Sequence, residues 1–260
     1  MVSLKRASEE DAYLLADICS KAYAEHVEHS SHIAGGLSRI DSPRSHLKFM
    51  EYFDYYRLEV DGFTVGGLMV APRGSALVEV VNIYVDPDHQ RRGVASSALR
   101  RAEGLYPDTS MWVLGVPLGD EAATSLVKRV GYTRVGQVVE DDGTVLGWYH
   151  RTIAAVSLSP IKVLREGMNN VMVEGVVHEK SYARTVRGRR PGESLSVAEA
   201  GLGDGSGRVV LTLWNNQIKM IQVGDRVRVE NGFVGGYRGV TQLSAGRTGR
   251  VIKLDDGSAE

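Results

Sequence analysis

An apolar run, Val78-Glu79-Val80-Val81-Asn82-Ile83-Tyr84-Val85, stops at Asp86-Pro87 and is followed at once by Gln90-Arg91-Arg92-Gly93-Val94-Ala95. The next residues, Ser96–Glu103, have helical spacing. A strand, a glycine-bearing turn and a helix in immediate succession leave few folds open. The backbone N–H groups of such a turn converge on one point, and the helix dipole adds positive potential there. The junction is therefore a candidate anion cradle. Arg91 and Arg92 suit a pyrophosphate that carries further phosphate. Gly93 lets the backbone approach a ligand with no Cβ in the way. A basic surface turn at an ordinary helix start is the plainer alternative.

Val85-Asp86-Pro87-Asp88-His89-Gln90-Arg91-Arg92-Gly93-Val94-Ala95 resembles motif A of the GNAT acetyltransferases, Q/R-x-x-G-x-G/A after a strand. The resemblance extends over about residues 1–153, where the order of elements is β-α-α-β-β-β-α-β-α-β-β. The first strand is 2–7, and the first helix opens at Ser8-Glu9-Glu10-Asp11 with Leu14, Leu15, Ile18 and Ala22 on its apolar face. Residues 29–45 read mostly as loop. The second helix follows Asp41-Ser42-Pro43, with Leu47, Met50 and Phe53 inward. Strands Tyr55–Val60 and Phe63–Val70 flank the hairpin turn Asp61-Gly62. Pro72-Arg73-Gly74 turns into Ala76–Val85. Strand Ser110–Val116, helix Glu121–Val130 with Gly131 at its end, and a hairpin of Tyr132–Glu140 with Thr144–Arg151 complete the set. The expected fold is α+β, a mixed central sheet flanked by helices.

The resemblance implies acetyl-CoA as cofactor. The amides of Arg91, Arg92, Gly93, Val94, Ala95 and Ser96, with Gln90, would hold the pyrophosphate. Ile83, Tyr84 and Val85 would lie along the pantetheine arm. In the family a bulge splays this strand from its neighbour, and nothing in the sequence shows that bulge. Glu79, six residues before Val85 in an apolar strand, matches the place of the glutamate base in the histone-acetyltransferase branch; burial there would raise its pKa. The alternative is a glutamate on the outward face. Many members carry a tyrosine acid in the last helix, in N-x-x-A-x-x-L-Y-x-x-x-G-F. Here Ala123, Leu126, Gly131 and Tyr132 match, the asparagine is Asp120 and the tyrosine is Val127, which has no proton to give. Tyr84 is a substitute donor.

Two hundred and sixty residues accommodate two domains, and charge divides between them. Residues 1–160 carry 16 basic and 21 acidic side chains, and residues 161–254 carry 15 and 8. An acidic front favours a cationic acceptor amine, such as a protein lysine or N-terminus or a polyamine; a basic back favours nucleic acid. No apolar run approaches the ~20 residues that span a bilayer, and no signal peptide opens the chain. The lone cysteine, Cys19, sits in an amphipathic stretch and reads as core, which points to a reducing, cytoplasmic setting. His26, His29, His32 and His46 crowd one polar region, but without fixed ligand spacing they read as solvated loop and no metal is expected.

Residues 154–160 read as a linker and 255–260 as an acidic tail. Between them lie short strands and Gly-rich turns: Asn170–His178, Glu193–Ala200, Arg208–Trp214, Arg226–Glu230 and Gly239–Leu243. Three stretches, 202–214, 223–233 and 237–246, resemble archaeal single-stranded DNA-binding proteins of the OB-fold class. That implies an all-β barrel over 161–254 that binds single-stranded DNA or RNA. Its three stacking positions are taken by Trp214, Phe233 and Tyr237. Arg187, Arg189 and Arg190, in a loop closed by Pro191-Gly192, together with Arg208, Arg226, Arg228 and Arg238, are the candidate phosphate contacts. Three functions fit: an acetyltransferase held on single strands, a nucleic-acid-binding protein with a weakly active acetyl-CoA domain, and a small-amine acetyltransferase that uses the barrel for assembly.

Overall fold

The computed structural model describes residues 1–24, 40–74, 76–188, 193–237, 239–246 and 248–255. The chain divides into two compact units, Met1–Thr133 with Tyr149–Ala154, and Arg134–Trp148 with Ala155–Glu260.

The first unit is a mixed sheet between two helical layers. Strands β1 (Val2–Arg6), β2 (Asp54–Val60), β3 (Phe63–Pro72) and β4 (Leu77–Val85) pair antiparallel in sequence order, and β5 (Met111–Pro117) joins β4 in parallel. Asp61 and Gly62 both have positive φ, 51° and 88°, which matches the turn to the twist of β2 and β3. Helices α1 (Ala12–Tyr23) and α2 (Pro43–Tyr52) cover one face through Leu15, Ile18, Cys19 and Phe49, packed on Tyr55, Met69, Val81 and Tyr84. Helices α3 (Val94–Glu103) and α4 (Glu121–Val130) cover the other through Ala98, Leu99, Val127 and Val130, packed on Leu68, Val78, Val80, Trp112 and Leu114. Asp120 caps α4 by accepting from the Ala123 amide at 2.8 Å, and Gly131, at φ +100°, ends it.

The inward faces of the first two helices differ from the expected ones. Leu14 and Leu47 are exposed, whereas Ala12, Ala16 and Cys19 in α1 and His46 and Phe49 in α2 are buried. His46 is therefore not a solvated loop residue. Its ring nitrogens bond the Tyr55 hydroxyl at 2.7 Å and the Ile40 carbonyl at 2.8 Å. A polar ring satisfied on both sides costs little to bury. His26, His29 and His32 lie outside the described residues.

In the second unit β8 (Val171–Lys180), β10 (Ser194–Gly203), β11 (Arg208–Trp214), β13 (Val240–Ser244) and β12 (Arg226–Tyr237) pair in that order, and β12 pairs back to β8. The ring closes on itself with one parallel contact, β11 to β13. Val173, Leu202, Leu211, Leu213, Val227, Val234 and Leu243 fill its interior. A short β9 (Arg184–Arg187) extends β10, α5 (Asn216–Met220) follows β11, and β14 (Arg250–Leu254) pairs with β12. None of these three shows in the sequence pattern. The second unit also takes β6 (Thr133–Val139) from Arg134 on and the start of β7 (Val145–Thr152). There Lys253 pairs with Gln137, and the Trp148 indole N–H donates to Glu230 at 3.1 Å. Among the described residues no helix is long and apolar enough to cross a membrane.

Candidate functional site

The β3–β4 register runs Leu68 to Ile83, Met69 to Asn82, and then Val70 to Val80, so Val81 is an extra residue in β4. This bulge is invisible in sequence because it exists only in the pairing. The parallel β4–β5 pairing runs from Leu77–Met111 to Val80–Leu114, and none is recorded beyond the bulge. A bulge bends its strand and ends regular pairing. The backbone of Val81–Val85 on one side and Gly115–Pro117 on the other is thereby left outside the β4–β5 pairing.

β4 leads to the turn before α3. Asp86 accepts from the Asp88 amide at 2.9 Å, Pro87–His89 form a 3-10 turn, and the Gln90 side-chain amide donates back to the Val85 carbonyl at 3.0 Å. Arg91 and Gly93 both take positive φ, 58° and 77°. For arginine this is uncommon, and such conformations persist where the surroundings impose them. A Cβ on Gly93 would meet nothing within 4 Å, so glycine is required there by backbone conformation and the space above it is open. The first intrahelical bond runs from the Ser97 amide to the Gly93 carbonyl at 2.9 Å. The N–H groups of Val94, Ala95 and Ser96 consequently have no partner within the helix. Arg91 and Arg92 are exposed beside them. Open amides, positive dipole and two guanidinium groups fit a diphosphate.

Glu79 lies in the closed part of the sheet, opposite Ala71 in β3 and Val113 in β5. It is 2% exposed, and both Nε and Nη2 of Arg73 reach its Oε2 at 2.7 Å. Tyr84 is on the α1–α2 face and 4% exposed. Its hydroxyl bonds that of Tyr55 and lies 3.3 Å from the Leu15 carbonyl, within the buried run Ile40, His46, Tyr55, Tyr84, Leu15. Burial pushes the Tyr84 hydroxyl well above the usual phenol range, as it does Tyr55. The Tyr84 side chain is thus spent on packing α1 against the sheet. Asp120 has its carboxylate on the α4 cap, and Val127 is buried between α3, α4 and the sheet. Cys19 is fully buried, and burial pushes its thiol far up.

On the second unit, side-chain alternation sorts the aromatics. Leu211, Leu213, Val234 and Leu243 point inward. Arg208, Thr212, Trp214, Gln242, Ser244, Phe233, Gly235 and Tyr237 therefore share the outer face of β11, β13 and β12. Thr212, Ser244 and Phe233 form one cross-strand row, with Trp214 two residues on from Thr212. Phe233 is 43% and Tyr237 48% exposed, while Trp214 is half-buried and outside the interior cluster. A Cβ on Gly235 would come within 3.0 Å of the Phe233 ring, so that ring lies low over the sheet.

Arg187 is exposed at the end of β9, and Arg208 is exposed on the aromatic face about 20 Å along β11 from Trp214. Arg228 is taken up by Glu174, with Nε at 2.5 Å from Oε1, and Arg226 leans on the same carboxylate. Arg189, Arg190 and Arg238 lie outside the described residues. Tyr182, 98% exposed between β8 and β9, went unread in the sequence; its one signal is an aromatic side chain in a polar turn between Lys180 and Arg184.

Comparison with known proteins gives both units their class. Residues 20–132 match the acetyltransferase (GNAT) family, and residues 162–253 match the single-stranded DNA binding protein Ssb-like OB fold. The chain is 35% identical over 98 residues to the single-stranded DNA binding protein Ssb of Saccharolobus solfataricus, covering 37% of this chain and 65% of that one. It thus spans somewhat less than two thirds of the curated relative's length. Among solved structures it is similar to PaiA N-acetyltransferase from Thermoplasma acidophilum in complex with coenzyme A, at 16% identity and TM-score 0.45, covering 58% of this chain and 99% of that one. It is also similar to Ard1 from Thermoplasma volcanium, at 14% identity and TM-score 0.48, covering 59% and 99%. One stretch of the chain thus matches the GNAT acetyltransferase family model, and a later one matches the Ssb-like OB fold.

Proposed function

We propose that the protein is an acetyl-CoA-dependent N-acetyltransferase that acts on an amine, as a protein lysine or N-terminus presents one, while its OB fold holds single-stranded nucleic acid. The observation that carries the first half is the coincidence of the Val81 bulge, the end of β4–β5 pairing at Val80–Leu114, and the open amides at the start of α3. The turn from Gln90 to Ser96 binds the pyrophosphate through backbone N–H groups, and Arg91 and Arg92 meet further phosphate. The peptides of Ile83, Tyr84 and Val85 line the pantetheine arm, and Asp120 shapes the far side by fixing the start of α4. Acetyl-CoA, when bound, supplies an acetyl group activated as a thioester. The chain's contribution is to fix that group and admit the amine beside it. Glu79 acts here through Arg73, as a buried ion pair that ties the 72–74 turn to β4.

The second half rests on the shared outer face of Trp214, Phe233 and Tyr237, with Arg208 on the same face; Arg187, exposed at the end of β9, is a further candidate contact. Stacking on aromatic faces beside basic groups suits a single strand, DNA or RNA, with little dependence on base identity. Titration calorimetry of the full chain with acetyl-CoA, and with oligo-dT at low salt, tests both halves. Absence of either heat removes the corresponding half. Peptide-array acetylation with labelled acetyl-CoA identifies the acceptor.

Val127, buried where many relatives carry a tyrosine, favours a second reading: a nucleic-acid-binding protein whose GNAT domain binds acetyl-CoA with little turnover. Tight acetyl-CoA binding with no labelled product on any peptide, polyamine or chain-bound protein would select it.

A further inference from the structure

Asn82 is the polar interruption of β4 immediately after the Val81 bulge, on the α1–α2 face with Met69 as its cross-strand partner. It is 8% exposed. Its Oδ1 accepts from the Tyr23 hydroxyl, at the C-terminal end of α1, at 2.6 Å. Its Nδ2 is buried with no hydrogen-bond partner among the described residues. Tyr23 has no other hydrogen-bond partner among those residues, so its proton goes to Oδ1 and the amide keeps both N–H groups for something else. An unmade buried hydrogen bond is costly, and strands rarely keep such a group without use. Asp120, at the start of α4, lies within electrostatic reach of the Tyr23 hydroxyl.

This rests on the acetyl-CoA reading above. With the pyrophosphate at the turn 90–96 and the arm along Val85, Tyr84 and Ile83, the acyl end arrives at the bulge, beside Asn82. We propose that Nδ2 of Asn82 donates a hydrogen bond to the carbonyl oxygen of the acetyl thioester, and that Tyr23 is a positioning residue that locks the amide in its donating orientation. A donor fixed before the ligand arrives suits an oxygen that gains negative charge during acyl transfer. The sequence signal is an asparagine inside a largely apolar strand, with a tyrosine at the end of the first helix.

The test compares two ligands on the full chain by titration calorimetry: acetyl-CoA, and S-ethyl coenzyme A, the thioether that lacks the carbonyl. The wild type is expected to prefer acetyl-CoA. Asn82→Ala should reduce that preference on the order of five-fold, the worth of one hydrogen bond, with affinity for the thioether unchanged. Tyr23→Phe, which leaves the strand intact, should reduce it in the same direction, and it decides the matter if Asn82→Ala does not fold. As a second readout, the infrared carbonyl band of bound 13C-labelled acetyl-CoA should move to higher frequency in both variants. An unchanged preference and band in the variants, even with both affinities lowered together, would make Asn82 a packing residue and overturn the proposal. A wild type that binds both ligands equally would overturn it too, leaving the acetyl-CoA reading intact. A wild type that binds neither would remove that reading and this one together.

Discussion

Glu79 and His46 are single residues whose environment changes what their identity suggests. A glutamate in an apolar strand reads as a base in waiting, but the guanidinium of Arg73 occupies one of its oxygens inside the closed sheet. Its partner lies six residues away, across a turn, in a stretch that reads only as a bend. Removing one partner of a buried pair is costly because the other charge is left unpaired. Glu79→Gln is therefore expected to lower stability by about 3 kcal/mol in denaturant unfolding, with kcat of the folded variant unchanged; a large loss of kcat at unaltered stability would restore Glu79 as the base. His46 was legible as polar but not as buried, since its partners Tyr55 and Ile40 are set by packing. Burial lowers its pKa below the ordinary 6.5, so the folded state favours the neutral ring. The unfolded chain then binds the proton more readily. The stability His46 contributes is complete above pH 6.5 and is lost as pH falls from there through the lowered value. Thermal melts from pH 7.5 to 5 should show the wild type losing stability over this range more steeply than His46→Gln; parallel curves would refute the assignment.

At the level of elements, what the sequence reveals is local chemistry. The Asp-Gly turn, Gly131 and the Gly93 junction are legible because each needs a particular residue at a particular dihedral angle. Register is not legible, and the bulge is made by register. Val81 is one more valine in an apolar strand until its pairing with β3 is known. Deleting Val81 would bring Val80 and Asn82 opposite Val70 and Met69 with no bulge and no reversal of the later side chains. This deletion is expected to extend β4–β5 pairing, keep or raise the melting temperature, and abolish acetyl-CoA binding by calorimetry; undiminished binding would show that the bulge does not make the site. The outer face of β11, β13 and β12 shows the same division. The three aromatics are legible by type, but their gathering on one surface follows from a parallel pairing between β11 and β13. Trp214→Ala should weaken oligo-dT binding by about 2 kcal/mol, roughly 30-fold, in fluorescence anisotropy, with the melting temperature nearly unchanged because Trp214 lies outside the interior cluster. A matching loss of stability with no loss of affinity would mark it as packing.

For the whole molecule, the division of charge between an acidic front and a basic back is a global signal that needs no register to be read. Composition alone separates a domain suited to a cationic acceptor from one suited to a polyanion. The allotment of the 134–148 segment was not legible, since its partners in β14 and β12 lie about a hundred residues further along the chain. The central claim is that one chain carries an acetyl-CoA site on the GNAT domain and a separate single-strand site on the OB fold. The most direct measurement is calorimetric titration of the full chain with acetyl-CoA, first alone and then after saturation with oligo-dT. The account predicts single-site binding of acetyl-CoA in both titrations. No binding in either, or binding abolished by the oligonucleotide, would contradict it.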